Sequence, residues 1–446
     1  MKQQIFECTI ESLTPEGKGY LFYKNKHLYV IGALPGETVR CRIVKKRKFY
    51  REAVVEEVLS PSPYRHSSAL SSEADHFLSC SPWQPVTYDH QIQLKQQMLI
   101  QAYTGEGIDL DQVGIPPSSV VVHSVPDGER TGYRTKLEFS FWNEDGQMYL
   151  AFHKRGSPFI KTALPDGCVL GSNAMNNAAL AIVERLNELE IEKNDLKVLI
   201  IRESKTTQKV TALLLTKRPD LEIELSLASL QVTVPELKGL MIASSPPLSP
   251  AAIIETVLHD EGNMELEEII EGLRIKYPYD GFFQNHIPHF SRALQRIQEY
   301  TPSSNKIVEL YSGAGTIGLN LHTKAKQLVG VEIVPSAVRY ARINATQNNI
   351  TNYTIIEAPS EQMPPDTLRD TDVLIVDPPR SGMHGDVIEM IATHKPKRIL
   401  YLSCNPVTQA RDIAPLLEHY SLSLLEGYDF YPHVLHLEAL AVLERK

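Results

Sequence analysis

The chain has 446 residues, of which 42% are hydrophobic and 22% charged; this balance excludes a disordered or low-complexity polypeptide and fits a folded globular protein. That length exceeds one ordinary domain, so two or three, each with its own core, are expected. The net charge of −9 excludes a uniformly basic nucleic-acid binder and leaves room only for a local cationic patch.

Residues 1–59 contain short alternating stretches, FECTIESL, GYLFY, HLYVIG, TVRCRIV and AVVEEVL, punctuated by Pro-Glu-Gly and Leu-Pro-Gly-Glu. Strands of that length with regularly spaced turns predict a small β-barrel. Residues 1–60 hold 11 Lys+Arg against 7 Asp+Glu, so the basic surplus sits at this end. Within it, residues 45–51 read KKRKFYR, a cationic run interleaved with rings that suits phosphates and stacked bases, or else forms a solvated hairpin. A loop-like SPSPYRHSS follows at 60–68. Residues 69–265 read as an α+β region, with strand-like TKLEFSFW and MYLAFHK, a helical NNAALAIVERLNEL and a punctuated SSPPLSP. From 270 to 446, five candidate strands, KIVEL, QLVGVEI, YTIIEA, DVLIVD and RILYLSC, alternate with helical-length segments. This predicts a doubly wound, Rossmann-like α/β domain with a parallel sheet.

The start, MKQQIFECTIESL, has no signal-peptide core, and no apolar run approaches the roughly 18 residues of a membrane span. A cytoplasmic protein with no membrane partner is expected. The five cysteines, Cys8, Cys41, Cys80, Cys168 and Cys404, are odd in number, scattered and without a CxxC pair, and read as reduced thiols.

The first strand of the α/β region runs into YSGAGTIG, where Gly313, Gly315 and Gly318 match GxGxxG. Glycines there let the backbone turn tightly and approach a ligand. Glu332, ending the next strand, is placed to accept hydrogen bonds from ribose hydroxyls. NAD and S-adenosylmethionine both carry an adenosine, so these features do not separate them. Asp377-Pro378-Pro379-Arg380 fixes a stiff, extended backbone past the fourth strand, a wall for a flat ring; Arg380 stands where adenine-amine methyltransferases have an aromatic residue. Cys404 ends the fifth strand beside Asn405-Pro406. A lone cysteine is commonly a small buried hydrophobe, but a thiol at a strand's carboxyl edge is a candidate nucleophile.

LYSGAGTIGL, DPPRSG, LSCNPVTQARD and HLEALAVLER together resemble the motifs of RNA 5-methyluridine (uracil-C5) methyltransferases, in the branch with an N-terminal, OB-like TRAM domain that acts mostly on 23S ribosomal RNA. The resemblance covers nearly the whole chain. It implies a TRAM-like RNA-binding domain at 1–59, a central RNA-binding domain at 69–265, and a catalytic domain at 270–446 that QIQLKQQMLIQAY, residues 91–103, joins. It implies S-adenosylmethionine as cofactor, Cys404 as nucleophile at carbon-6 of uracil, and Glu438 as the base that removes the carbon-5 proton. Gln284, Tyr311, Gly313, Gly315, Glu332 and Asp377 match cofactor contacts, and Thr316 stands where some members have Asn. Phe283 packs on a ligand or in the core. The implied partner is RNA, 23S ribosomal RNA or transfer RNA, and the implied state a monomer. Many relatives hold an iron–sulfur cluster on four cysteines; here Cys80 and Cys168 alone remain, with His76 nearby, so neither a cluster nor any other metal is expected. A cytosine-5 methyltransferase usually shows two catalytic-domain cysteines, whereas this catalytic half has only Cys404. A non-catalytic RNA-binding protein would leave the intact Cys404, Glu438, Gln284 and Asp377 unexplained, and an NAD oxidoreductase would be separated by ligand binding.

Overall fold

The structure, a computed structural model, describes residues 5–66, 81–154, 159–249 and 251–446. Its internal contacts define two compact units. The first comprises Met1–Gln91, Pro126–Leu266 and Pro432–Leu435; the second comprises Ile92–Val125, Glu267–Tyr431 and His436–Lys446. Among the described residues no helix is long and apolar enough to cross a membrane.

The first unit is strand-rich. One sheet has six strands in the order Ile5–Thr9, Thr38–Lys46, Tyr50–Ser60, Lys26–Ile31, Gly19–Tyr23, Ser12–Leu13. Alternation sends Cys8, Leu21, Leu28, Val30, Val39, Cys41 and Ala53 into one shared core. Cys8 and Cys41 are therefore buried thiols, unpaired by any disulfide. The run KKRKFYR spans the end of one strand and the start of the next: Arg47 N–H donates to the Tyr50 carbonyl at 2.9 Å, and Phe49 at the tip is 70% exposed. A second sheet orders Lys161–Ala163, Gln147–His153, Lys136–Glu144, Leu196–Glu203, Val210–Thr216, Leu237–Ser244 and Thr256–Gly262. The helix Asn173–Glu188 is capped by the Ser172 hydroxyl, which accepts from Met175 N–H at 3.1 Å. It buries Met175, Ala178, Ala179, Ile182, Val183 and Leu186, an apolar stripe at helical spacing.

The second unit holds an eight-stranded sheet, its strands numbered in chain order: β1 (Val121–His123), β2 (Ser304–Leu310), β3 (Ala325–Glu332), β4 (Tyr353–Glu357), β5 (Val373–Val376), β6 (Arg398–Ser403), β7 (Tyr420–Tyr428) and β8 (Glu438–Arg445). Their spatial order is β4-β3-β2-β5-β6-β8-β7-β1. Strands β2 to β6 are the five segments read from the sequence, all mutually parallel. The order reverses between β2 and β5, which is where an open α/β sheet leaves a crevice at its carboxyl edge. The other three strands extend the sheet beyond the sequence reading: β8 runs antiparallel to β6, β7 antiparallel to β8, and β1 parallel to β7.

Candidate active site

The strand register builds a row of candidate functional side chains. Leu310 pairs with Val331 on one side and Val376 on the other, Val376 pairs with Tyr401, and Ser403 pairs with Ala439. Tyr311, Asp377 and Cys404 are the first residues past β2, β5 and β6, while Glu332 is the last of β3. Because β8 is antiparallel, its first residue, Glu438, stands opposite Cys404 when the register is continued by one step. Five residues spread over more than a hundred positions of sequence thus meet on one edge.

The turns that carry them are tied together. The carbonyl of Arg380 accepts from Asn405 Nδ2 at 2.8 Å and Thr408 Oγ1 at 3.3 Å, fastening the Asp-Pro-Pro-Arg turn to the turn after Cys404. Gly382 takes φ +80° and its N–H closes onto the Pro379 carbonyl at 2.8 Å; a Cβ there would lie 2.5 Å from Arg411 and Asp412. Two positioning residues lie inside the run LSCNPVTQARD, where the sequence reading assigned them no role. Asp412, fully buried, accepts from Met383 N–H at 2.7 Å and the Tyr401 hydroxyl at 2.8 Å. Gln409 donates to the Tyr401 and Ala439 carbonyls at 2.8 and 3.0 Å, bridging β6 and β8 near Cys404 and Glu438, and its own oxygen accepts from Tyr103 at 2.9 Å.

Beside the row lies a cleft whose lining includes Gln284, Tyr311, Gly313, Thr316 and Asp377. Tyr311 has φ +60°, a strained backbone for a tyrosine, followed by Gly313 at +55° and Gly315 at +81°. A Cβ added at Gly313 would meet nothing within 4 Å, so this turn faces open space on its ligand side. Glu332 fixes it: one carboxylate oxygen accepts from Gly313 N–H and the other from Val334 N–H, each at 2.8 Å. Each oxygen keeps acceptor capacity for hydroxyl groups. Phe283 is stacked on Tyr277, centroids 3.8 Å apart, and also lines the cleft, so it is core and wall at once; Phe282 beside it is 71% exposed. Glu309, which the sequence reading did not single out, lines the cleft and accepts from Gly318 N–H at 3.1 Å; burial raises its pKa well above the ordinary carboxylate range. Carboxylates, aromatic walls and an open glycine turn fit a cationic sulfonium carrying an adenosine.

The site's electrostatics favour bound protons. Burial first, then the negative charge of Glu438 and Asp377, pushes the Cys404 thiol up to about 12, against which Arg380 acts. Burial raises Asp377 to about 7 and lifts Glu438 well above its usual range. Burial is the largest cause of the Cys404 rise, ahead of the two carboxylates. Arg380 in turn is held by His436, Nη2 to Nδ1 at 3.2 Å.

The sequence model of the tRNA (uracil-5-)-methyltransferase family matches residues 115–446. The chain belongs to this family. Members are S-adenosylmethionine-dependent RNA uracil-C5 methyltransferases, and that is the enzyme class of this protein. An uncharacterised RNA methyltransferase of Caldanaerobacter subterraneus is 28% identical over 464 residues, covering 100% of this chain and 99% of the relative. One from Bacteroides thetaiotaomicron is also 28% identical, covering 97% of this chain and 100% of its own. The crystal structure of Pyrococcus abyssi tRNA (uracil-54, C5)-methyltransferase with S-adenosyl-L-homocysteine superposes with a TM-score of 0.72 at 22% identity, covering 98% of this chain and 100% of that one, a likeness of fold. Of the cysteines weighed for a cluster, Cys168 is buried, while Cys80 and His76 lie outside the described residues. Among the described residues no group of three or more His, Cys, Asp or Glu is arranged to hold a metal.

Proposed function

We propose that this methyltransferase modifies carbon-5 of a uridine in 23S ribosomal RNA, with Cys404 as nucleophile and Glu438 as base. The observation that carries the reading is the register that sets Cys404 opposite Glu438 with Asp377 one strand away. Carbon-5 of uracil is a poor nucleophile. The Cys404 thiolate, formed by loss of its proton to solvent, bonds through Sγ to carbon-6, and the carbon-5–carbon-6 electron pair moves into an enolate whose density gathers at carbon-5. S-adenosylmethionine supplies the methyl group as an electrophilic carbon. Glu438 then takes the carbon-5 proton, the electron pair left behind reforms the ring double bond, and the carbon–sulfur bond breaks to release Cys404. A buried carboxylate with raised proton affinity suits that step.

Gln284, Tyr311, Gly313, Gly315, Thr316 and Glu332 would hold the cofactor, and Asp377 stands between it and the base. The region 1–59 is assigned as a TRAM-like RNA-binding domain on its strand pattern and basic hairpin, and 69–265 as the central RNA-binding domain. Residues 91–103 are assigned to the catalytic domain at 270–446, which the grouping of Ile92–Val125 with Glu267–Tyr431 supports. With two cysteines left of a four-cysteine set, no iron–sulfur cluster is assigned. Transfer RNA is the second reading, because the family description names it. Both are tested by incubating the enzyme with labelled S-adenosylmethionine and unmodified 23S ribosomal or transfer RNA, then mapping 5-methyluridine by mass. Label confined to transfer RNA would replace the substrate; label on neither, or on cytidine, would overturn the reading.

A further inference from the structure

The outer face of the six-stranded sheet carries five aromatic rings. Tyr20 and Phe22 stand on Gly19–Tyr23, His27 and Tyr29 on Lys26–Ile31, and Tyr50 opens Tyr50–Ser60. Phe22 pairs with His27 and His27 with Tyr50, while Tyr20 pairs with Tyr29, so the rings form two adjoining rows across three strands. Neighbouring centroids lie 5.5 to 6.0 Å apart. Their inward neighbours Leu21, Leu28 and Val30 fill the core, so the rings are additional to the core. Phe22 is 54% exposed.

Cross-strand ring pairs do stabilise sheets, and Lys45 pairs with Glu52 at 3.5 Å, but neither role accounts for the Lys46-Arg47-Lys48 run beside the rings. Lys45 Nζ lies 5.8 Å from the Tyr50 centroid, and Lys46, Arg47 and Lys48 continue the strand into the hairpin tip. Lys48 Nζ sits 5.1 Å from the ring of exposed Phe49. Rings offer faces on which bases stack whatever their sequence, and lysines beside them track a phosphate chain. A duplex buries its base faces in its own stack and offers the rings nothing.

We propose that this face is a stacking platform for unpaired nucleotides of the RNA substrate, distinct from the pocket that takes the reacting uracil. The inference rests on RNA being the substrate. Stacking supplies the affinity and the KKRK run supplies its salt dependence.

The test is equilibrium binding of the full chain to an unstructured 12-nucleotide RNA and to a blunt RNA duplex of equal length. Phe22→Ser and Tyr29→Leu, the latter keeping apolar bulk but losing the ring, should each weaken single-strand binding about tenfold, leave the salt slope unchanged, and leave duplex binding as in the wild type. Unaltered thermal melting of Phe22→Ser, whose ring is half in solvent, keeps folding out of the comparison. If both variants bind the single strand as the wild type does, or lose single strand and duplex equally, the platform is wrong. Methylation of 23S or transfer RNA by the same preparations is scored separately, so a failed platform and a failed substrate assignment give different results.

Discussion

Along the carboxyl edge of the eight-stranded sheet, the proposed chemistry rests on single residues at strand ends, and Asp377, Cys404 and Glu438 have separate proposed roles. On the outer face of the six-stranded sheet, the proposed platform shares one role among five rings and the KKRK run, each adding a part. A sheet edge concentrates chemistry because the register delivers one side chain per strand end to a common line. A sheet face distributes it, because every second residue of each strand points the same way. Changes in the first region should therefore be all-or-none, and changes in the second graded.

Cys404→Ala is the largest expected effect. Methyl transfer should fall at least about a thousandfold, a loss of over ~4 kcal/mol of transition-state stabilisation, while binding of S-adenosylhomocysteine, measured by calorimetry, stays within about twofold. A variant that keeps substantial turnover would break the contrast at its strongest point.

Next is the buried pair that anchors the segment leading toward Glu438. Lys95 Nζ donates to Asp429 Oδ1 at 2.5 Å and to the Tyr431 carbonyl at 2.9 Å, with both side chains fully buried. Lys95→Met leaves the Asp429 carboxylate without its cation and should cost about 3–5 kcal/mol of stability in denaturant unfolding. A change below about 1 kcal/mol would show that the pair does not hold the loop.

The third effect is a slope with pH. Only thiolate reacts with iodoacetamide, and with Cys404 near 12 its alkylation should quicken about tenfold per pH unit between about 7 and 9. Arg380→Gln should slow it and Asp377→Asn should hasten it, since the arginine cation lowers the thiol and the aspartate carboxylate raises it. Asp377 also links stability to pH. Its carboxyl is raised from 3.8 to about 7, so its contribution is full below the unfolded value and is lost as pH rises through the folded one. Asp377→Asn should therefore raise the melting temperature relative to wild type at pH 8, and much less at pH 5. The smallest effect is expected at the hairpin: Lys46→Gln or Lys48→Gln should weaken RNA binding by a few-fold and lower the salt slope by about one unit.

Much of the catalytic edge was legible because it is written in contiguous motifs. DPPRSG and LSCNPVT mark two strand ends, and five apolar runs with helical spacers gave β2 to β6. The outer strands β7, β8 and β1 were not drawn, because pairing across the sheet is a long-range choice that a run such as EALAVLER does not record. Asp412 and Gln409 fall inside the motif LSCNPVTQARD, but the motif does not state what they do. Each reads as a helical surface residue between Pro406 and Leu416, and only the packing shows that one holds the Gly382 turn and the other bridges β6 to β8. Glu309 was hidden for another reason: a single acid inside the apolar run KIVEL carries no motif of its own in a periodicity reading. In the first unit, alternation revealed the strands and the cationic run revealed the hairpin. The two rows of rings needed the register, since Tyr20, Tyr29 and Tyr50 come from three separate strands.

The central claim is that Cys404 and Glu438 act in sequence on one uracil, and Glu438→Gln tests it most directly. Thiol addition and methyl transfer do not need that base, whereas release of Cys404 does. The variant should accumulate a denaturant-resistant protein–RNA adduct that depends on S-adenosylmethionine, contains uracil already methylated at carbon-5, and disappears when Cys404→Ala is added. Normal turnover by Glu438→Gln, or an adduct holding only unmethylated uracil, would contradict the account.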